Sequence, residues 1–135
     1  MPAMADTPST TVPTEAEHPS LRVLVVEDDP DALSATLALL EAMGHWAVGV
    51  PSSEAAISRF VEQAFDVLMV DMILPTVSGV ELVQDLLRRE RLPVIFASGE
   101  PRHARSPEGA VWLRKPYSLA QLESALEDCR RAAKQ

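Results

Sequence analysis

Apolar residues along this chain come in short unbroken runs, separated by longer stretches in which they recur every three or four positions. Leu21–Val26, Asp66–Val70, Pro93–Ala97 and Ala110–Leu113 are such runs, and His45–Val50 is a weaker one. Short Val/Ile/Leu runs bounded by turn residues predict strands buried on both faces. Between them, Leu33, Leu37, Leu40 and Met43 keep helical spacing after Asp29-Pro30, a cap followed by proline at the first helical position, and Gly44 ends the helix. Ser52 or Ser53 caps a second helix carrying Ala56, Ile57, Phe60 and Val61. Pro75 and Gly79 punctuate a loop, and residues 80–90 form a third helix with Leu82, Val83, Leu86 and Leu87 inward. Ser118 and Gln121 form a capping box that opens a last helix, with Leu119, Leu122, Ala125, Leu126 and Cys129 on one stripe.

Strands alternating with helices predict an α/β fold, a doubly wound five-stranded parallel sheet with helices on both faces. Residues 99–109, between the fourth and fifth strands, have no apolar stripe and contain Pro101, Pro107 and Gly109. That length suffices for a parallel crossover but not for a full helix. The expectation there is an irregular, mobile segment, with the fourth helix short or missing.

Residues 1–20 hold Pro2, Pro8, Pro13 and Pro19, several Ser and Thr, and no Lys or Arg. They are expected to be a disordered tail or linker, leaving 21–135 as the domain. The net charge of −8 argues against nucleic-acid binding. The lone Cys129 excludes an internal disulfide and is expected in the core of the last helix. No apolar run approaches the ~18 residues of a membrane span, and the front lacks a signal-peptide pattern. A cytoplasmic protein is the expectation.

The predicted strands end on chemically loaded residues: Glu27-Asp28 after the first, Asp71 after the third, Ser98 after the fourth and Lys115-Pro116 after the fifth. In a parallel sheet these ends share one edge, where ligands bind. Clustered carboxylates repel unless a cation compensates them. Mg²⁺ is the natural guest, because it takes oxygen ligands and bridges carboxylate to phosphate. Asp71 would then act as a carboxylate nucleophile toward a phosphoryl group, with Lys115 steadying the phosphoryl oxygens and Ser98 donating its hydroxyl. The chain has ten Arg and two Lys, so a lysine at this position stands out. Taken singly, each residue has an ordinary explanation, as a turn cap, a loop lysine or a solvated acidic loop. Their joint placement at the ends of predicted strands does not. His18, His45 and His103 have no sequence partner that would make them phosphodonors or ligands.

Val25-Val26-Glu27-Asp28-Asp29, Val70-Asp71-Met72-Ile73-Leu74-Pro75 through Gly79, Ala97-Ser98 and Arg114-Lys115-Pro116-Tyr117 together resemble the four signatures of bacterial response-regulator receiver domains, the CheY-like superfamily. The resemblance covers about 21–133. It implies a flavodoxin-like strand order of 2-1-3-4-5, Asp71 as phosphoacceptor, and Mg²⁺ held by Glu27, Asp28, Asp71 and the backbone carbonyl of Ile73. It implies Ser98 as the switch hydroxyl, Lys115 as the phosphate-contacting lysine, and a cis peptide between Lys115 and Pro116. The family's switch aromatic, usually Tyr or Phe, falls on Trp112, which is either a switch or a packed cover of the sheet edge. Pro93 to Gly99 resembles the Pro-Phe-x-Phe-Ala-Thr-Gly-Tyr motif of a subgroup with a poorly formed fourth helix, with Glu100 in place of its Tyr.

The function this implies is acceptance of a phosphoryl group from a histidine kinase or phosphotransfer protein, read out by a downstream protein target. The chain is then a stand-alone regulator or the receiver of a hybrid histidine kinase, a monomer or weak dimer without nucleic-acid or membrane partners. It catalyses only its own phosphorylation and slow autodephosphorylation. A phosphatase with an aspartyl nucleophile would carry a second Asp two residues later, and Ile73 stands there. The alternative is a receiver-like interaction module acting without phosphorylation, against which the intact set of Glu27, Asp28, Asp71, Ser98 and Lys115 argues.

Overall fold

The computed structural model describes residues 20–99 and 109–133. In chain order the elements are β1 (Arg22–Val26), α1 (Pro30–Ala42), β2 (Trp46–Val50), α2 (Ser53–Glu62), β3 (Val67–Asp71), α3 (Gly79–Arg89), β4 (Val94–Ser98), β5 (Val111–Arg114) and α4 (Leu119–Ala133). The strands form one sheet in the order β2-β1-β3-β4-β5, and every neighbouring pair is parallel. The sequence reading of the fold therefore holds. The expected tail lies almost wholly outside the described residues, as does most of the 99–109 segment, on which the expectation of a short or missing helix falls.

Alternation along each strand sends side chains into two cores. Leu24, Val26, Leu68, Val70, Val94 and Phe96 face one side, where Ala56 and Phe60 of α2 and Leu82, Val83 and Leu86 of α3 cover them. Val23, Val25, Val67, Met69, Ile95, Ala97 and Leu113 face the other, beneath Leu40 of α1 and Leu122, Ala125, Leu126 and Cys129 of α4. Burial on both faces is why these strands read as unbroken apolar runs.

The helix ends follow the local chemistry. Asp29 accepts from the Asp31 amide at the start of α1, with Pro30 at the first helical position. At its other end Gly44, at φ +86°, donates to Glu41 O, and His45 donates to Leu40 O, the paired bonds of a Schellman closure. Ser52 caps α2, and the Ser118–Gln121 box forms as expected. A second box, between Ser78 and Glu81, starts α3 at Gly79.

Two of the apolar helix residues named from the sequence are exposed. Val61 is 63% exposed, because it lies one position round from Phe60 and off the stripe set by Ala56 and Phe60. Leu119 is 44% exposed, because the first turn of α4 opens at the strand-end edge of the sheet. Three of the strands also run one residue further than expected. Asp71, Ser98 and Arg114 belong to the ladder themselves, Asp71 opposite Ala97 and Ser98 opposite Arg114.

Candidate functional site

That ladder register aligns the strand ends. Val26 pairs with Val70, so Glu27 and Asp71 follow at the same level on adjacent strands. The backbone keeps the edge closed beyond the last side-chain pairs. Glu27 N–H donates to Val50 O at 3.0 Å, Met72 N–H to Ala97 O at 3.1 Å, and Lys115 N–H to Ser98 O at 2.7 Å. The carboxylates, Ser98 and Lys115 are thus carried on a rigid frame.

Lys115 reaches across this edge between two carboxylates. Its Nζ donates to Glu27 Oε1 at 2.5 Å and to Asp71 Oδ2 at 3.2 Å. The second oxygen of each carboxylate accepts a backbone N–H: Glu27 Oε2 from Asp29 at 3.2 Å, and Asp71 Oδ1 from Ile73 at 3.1 Å. Glu27 is buried, Asp71 is half-buried and Asp28 is exposed. One oxygen from each of the three acids lies within 4.8 Å of the others. Burial pushes the Glu27 carboxyl above its ordinary range, and the neighbouring Asp71 adds to this against the opposing pull of Lys115. Burial alone would lower the Lys115 ammonium. The Glu27 hydrogen bond and the Asp71 charge outweigh it, so the group is held above its ordinary value.

One lysine charge does not neutralise three carboxylates. The donor set consists of hard oxygens converging on one point, which fits a divalent cation such as Mg²⁺. Two concavities of about 320 and 510 Å³ lie at the opposite edge of the sheet, around Pro93 and Ala110 and around Arg22 and Asp66.

The structure brings Glu27, Asp28, Asp71 and Lys115 together, with Ser98 buried at the end of β4 in the same row. The Ile73 side chain is 68% exposed while its amide turns toward Asp71. The Lys115–Pro116 peptide is cis, as the resemblance implied. Trp112 packs on the Phe96 ring, with centroids 6.4 Å apart and planes inclined at 46°. His45 lies just before β2, away from the acidic edge, its Nδ1 accepting the Leu21 amide at 3.0 Å. Cys129 is buried, and burial pushes its thiol up to about 12.

Two features escaped the sequence reading. Gly79 packs so tightly on the end of β3 that a Cβ there would lie 2.2 Å from Asp71 O. Its amide donates to Met72 O at 2.9 Å. The second is a hydrogen bond of 2.5 Å between the hydroxyls of Thr36, in the buried face of α1, and Tyr117. A threonine amid Leu33, Leu37 and Leu40 was the available signal, because a polar group on an apolar stripe needs a partner.

Comparison with known proteins agrees with this fold. Residues 23–127 match the response regulator receiver domain family. The chain is 28% identical over 112 residues to the response regulator receiver protein CpdR of Brucella abortus, covering 78% of this chain and 93% of that one. It is 31% identical over 111 residues to the transcriptional activator protein PfeR of Pseudomonas aeruginosa, covering 78% of this chain but 36% of that one. The chain thus spans about a third of one relative and nearly all of the other. A CheY-like receiver domain structure from Methylobacillus flagellatus superposes with a TM-score of 0.75 at 28% identity, over 82% of this chain and 98% of that one. With the acidic edge, its lysine and the sheet order in place, the chain belongs to the response regulator receiver domain family of two-component systems.

Proposed function

We propose that this receiver takes a phosphoryl group onto Asp71 from a histidine kinase or histidine phosphotransfer protein. The carrying observation is the placement of Lys115 between Glu27 and Asp71, beside the exposed Asp28. An Asp71 carboxylate oxygen attacks phosphorus and forms the new O–P bond. The P–N bond to the donor histidine breaks, and its electron pair leaves with the imidazole. Lys115 exchanges its Asp71 contact for a phosphoryl oxygen and holds the added charge. The Ile73 amide, already on Asp71 Oδ1, keeps the carboxylate oriented. Ser98, at the end of β4, donates to the phosphoryl group once it is in place. Glu27, Asp28, Asp71 and the Ile73 carbonyl would hold Mg²⁺, which supplies the positive charge that lets an anionic group approach three carboxylates.

The product hydrolyses slowly and no external substrate is turned over, consistent with Ile73 standing where a phosphatase would carry its acid. The readout is a protein–protein contact in the cytoplasm, made either by a stand-alone regulator or by the receiver of a hybrid kinase. The Pro93–Gly99 motif supports the subgroup with a reduced fourth helix. Trp112, tilted against the Phe96 ring, acts as cover for the sheet edge.

Intact mass after incubation with Mg²⁺ and acetyl phosphate tests this reading. One phosphoryl group is expected on the wild type and none on Asp71→Asn. A folded wild type that takes none from acetyl phosphate or from a cognate kinase would support the interaction module acting without phosphorylation.

A further inference from the structure

We infer that Tyr117 and Thr36 form a positioning pair that holds Lys115 in register with the acceptor carboxylate. The inference rests on the phosphoacceptor reading above and adds to its machinery two residues that touch neither carboxylate nor phosphate.

The argument begins with the length and freedom of a lysine. Its four-carbon stem samples many rotamers, so its charge is useful at one point only if its backbone is fixed. The residues following β5 are tied down at three places. Lys115 N–H donates to Ser98 O at 2.7 Å. Ser118 and Gln121 close the capping box of α4. Between these ties stands Tyr117, whose hydroxyl meets Thr36 Oγ1 at 2.5 Å, 81 residues away in sequence.

Thr36 is well placed for the task. It is 4% exposed in the middle of α1. That helix starts beside the acids: its cap Asp29 donates its amide to Glu27 Oε2, and Glu27 Oε1 takes the Lys115 ammonium. One helix therefore grips the lysine turn through Thr36 and the lysine's carboxylate partner through Asp29. The two grips close a loop of contacts: Thr36, Tyr117, Lys115, Glu27, Asp29 and back along α1. Removing the hydroxyl bond opens that loop while leaving every charged group in place. Burial also holds the Tyr117 phenol above its ordinary value, with the Thr36 bond pulling the other way, so the hydroxyl keeps its proton at neutral pH.

The test uses Tyr117→Phe, Thr36→Val and the double variant, each also in a Lys115→Ala background. Two quantities are read: the rate of phosphoryl uptake from acetyl phosphate with Mg²⁺, and the ¹H–¹⁵N signal of the Lys115 ammonium in the cold, which persists only while ion pairing slows its exchange. Uptake is expected to fall about tenfold in each single variant and no further in the double, as expected for loosened alignment at a reacting centre. In the Lys115→Ala background the same substitutions are expected to change the residual rate less than about twofold. A merely structural role would slow uptake with or without the lysine, and that result overturns the inference. So does Tyr117→Phe taking up phosphate at the wild-type rate. If the wild type takes up no phosphate, the phosphoacceptor reading fails and the lysine signal decides alone. Its loss in Tyr117→Phe supports the positioning pair, and an unchanged signal refutes it.

Discussion

At the scale of single residues, the site depends on close backbone approaches as much as on charged groups. Gly79 is the clearest case. A methyl group there would press on the Asp71 carbonyl, which is backbone and has no rotamer to yield. Gly79→Ala is therefore expected to cost about 1–3 kcal/mol through overpacking. It should lower Tm by roughly 5–10 °C and slow phosphoryl uptake by tilting Asp71. A Gly79→Ala protein with wild-type melting would show that α3 shifts freely. The sequence announced Glu27, Asp28, Asp71 and Lys115 through their types and places. It presented Gly79 as loop punctuation and as the end of a family signature but not its contact, because the atom a Cβ would meet belongs to another element.

At the scale of elements, neighbouring residues on one helix have opposite weights. Phe60 of α2 packs in the core while Val61 faces water. Urea unfolding is expected to show Phe60→Ala losing about 3–5 kcal/mol and Val61→Ala staying within about 0.5 kcal/mol of wild type. A second prediction concerns the turn joining α1 to β2. His45 accepts the Leu21 amide on Nδ1, which ties the start of β1 to the start of β2. Burial, helped by Arg130, lowers the His45 pKa below 6.5, so the folded state resists protonation. The unfolded chain then binds more protons in this range. The stability His45 contributes is complete above the unfolded value and is lost as pH falls through the lower folded one. NMR titration should place His45 below 6.5, and His45→Gln should flatten the fall in stability on acidification. A His45 that titrates at or above 6.5 would contradict the assignment.

At the scale of the whole molecule, an overall charge of −8 is combined with three acids on one sheet edge. Mutual repulsion there opposes folding, and a bound divalent cation relieves it. Mg²⁺ at a hundredfold excess over its Kd is expected to stabilise the fold by about 2.7 kcal/mol. The corresponding rise in Tm is roughly 10 °C. Asp28→Asn should remove most of that shift while leaving the cation-free protein at least as stable. Equal Mg²⁺ shifts in both proteins would place the ion elsewhere.

Local pattern by itself determined the strand and helix sequence, the caps at Asp29 and Ser118, a cap at Ser52 or Ser53, and the residue types at the strand ends. Side-chain periodicity and capping are set within a few residues, so they survive in the linear chain. Strand order is not written in periodicity, and it was reached through the resemblance of four short motifs to a known family. Only the folded molecule decided that Lys115 spans Glu27 and Asp71, that Gly79 abuts Asp71, and that Tyr117 meets Thr36. The Lys115 and Tyr117 contacts join elements far apart in sequence, and the Gly79 contact joins a strand end to the helix that follows it. Their geometry depends on the ladder register and on how each helix seats on the sheet, which no local window of sequence contains.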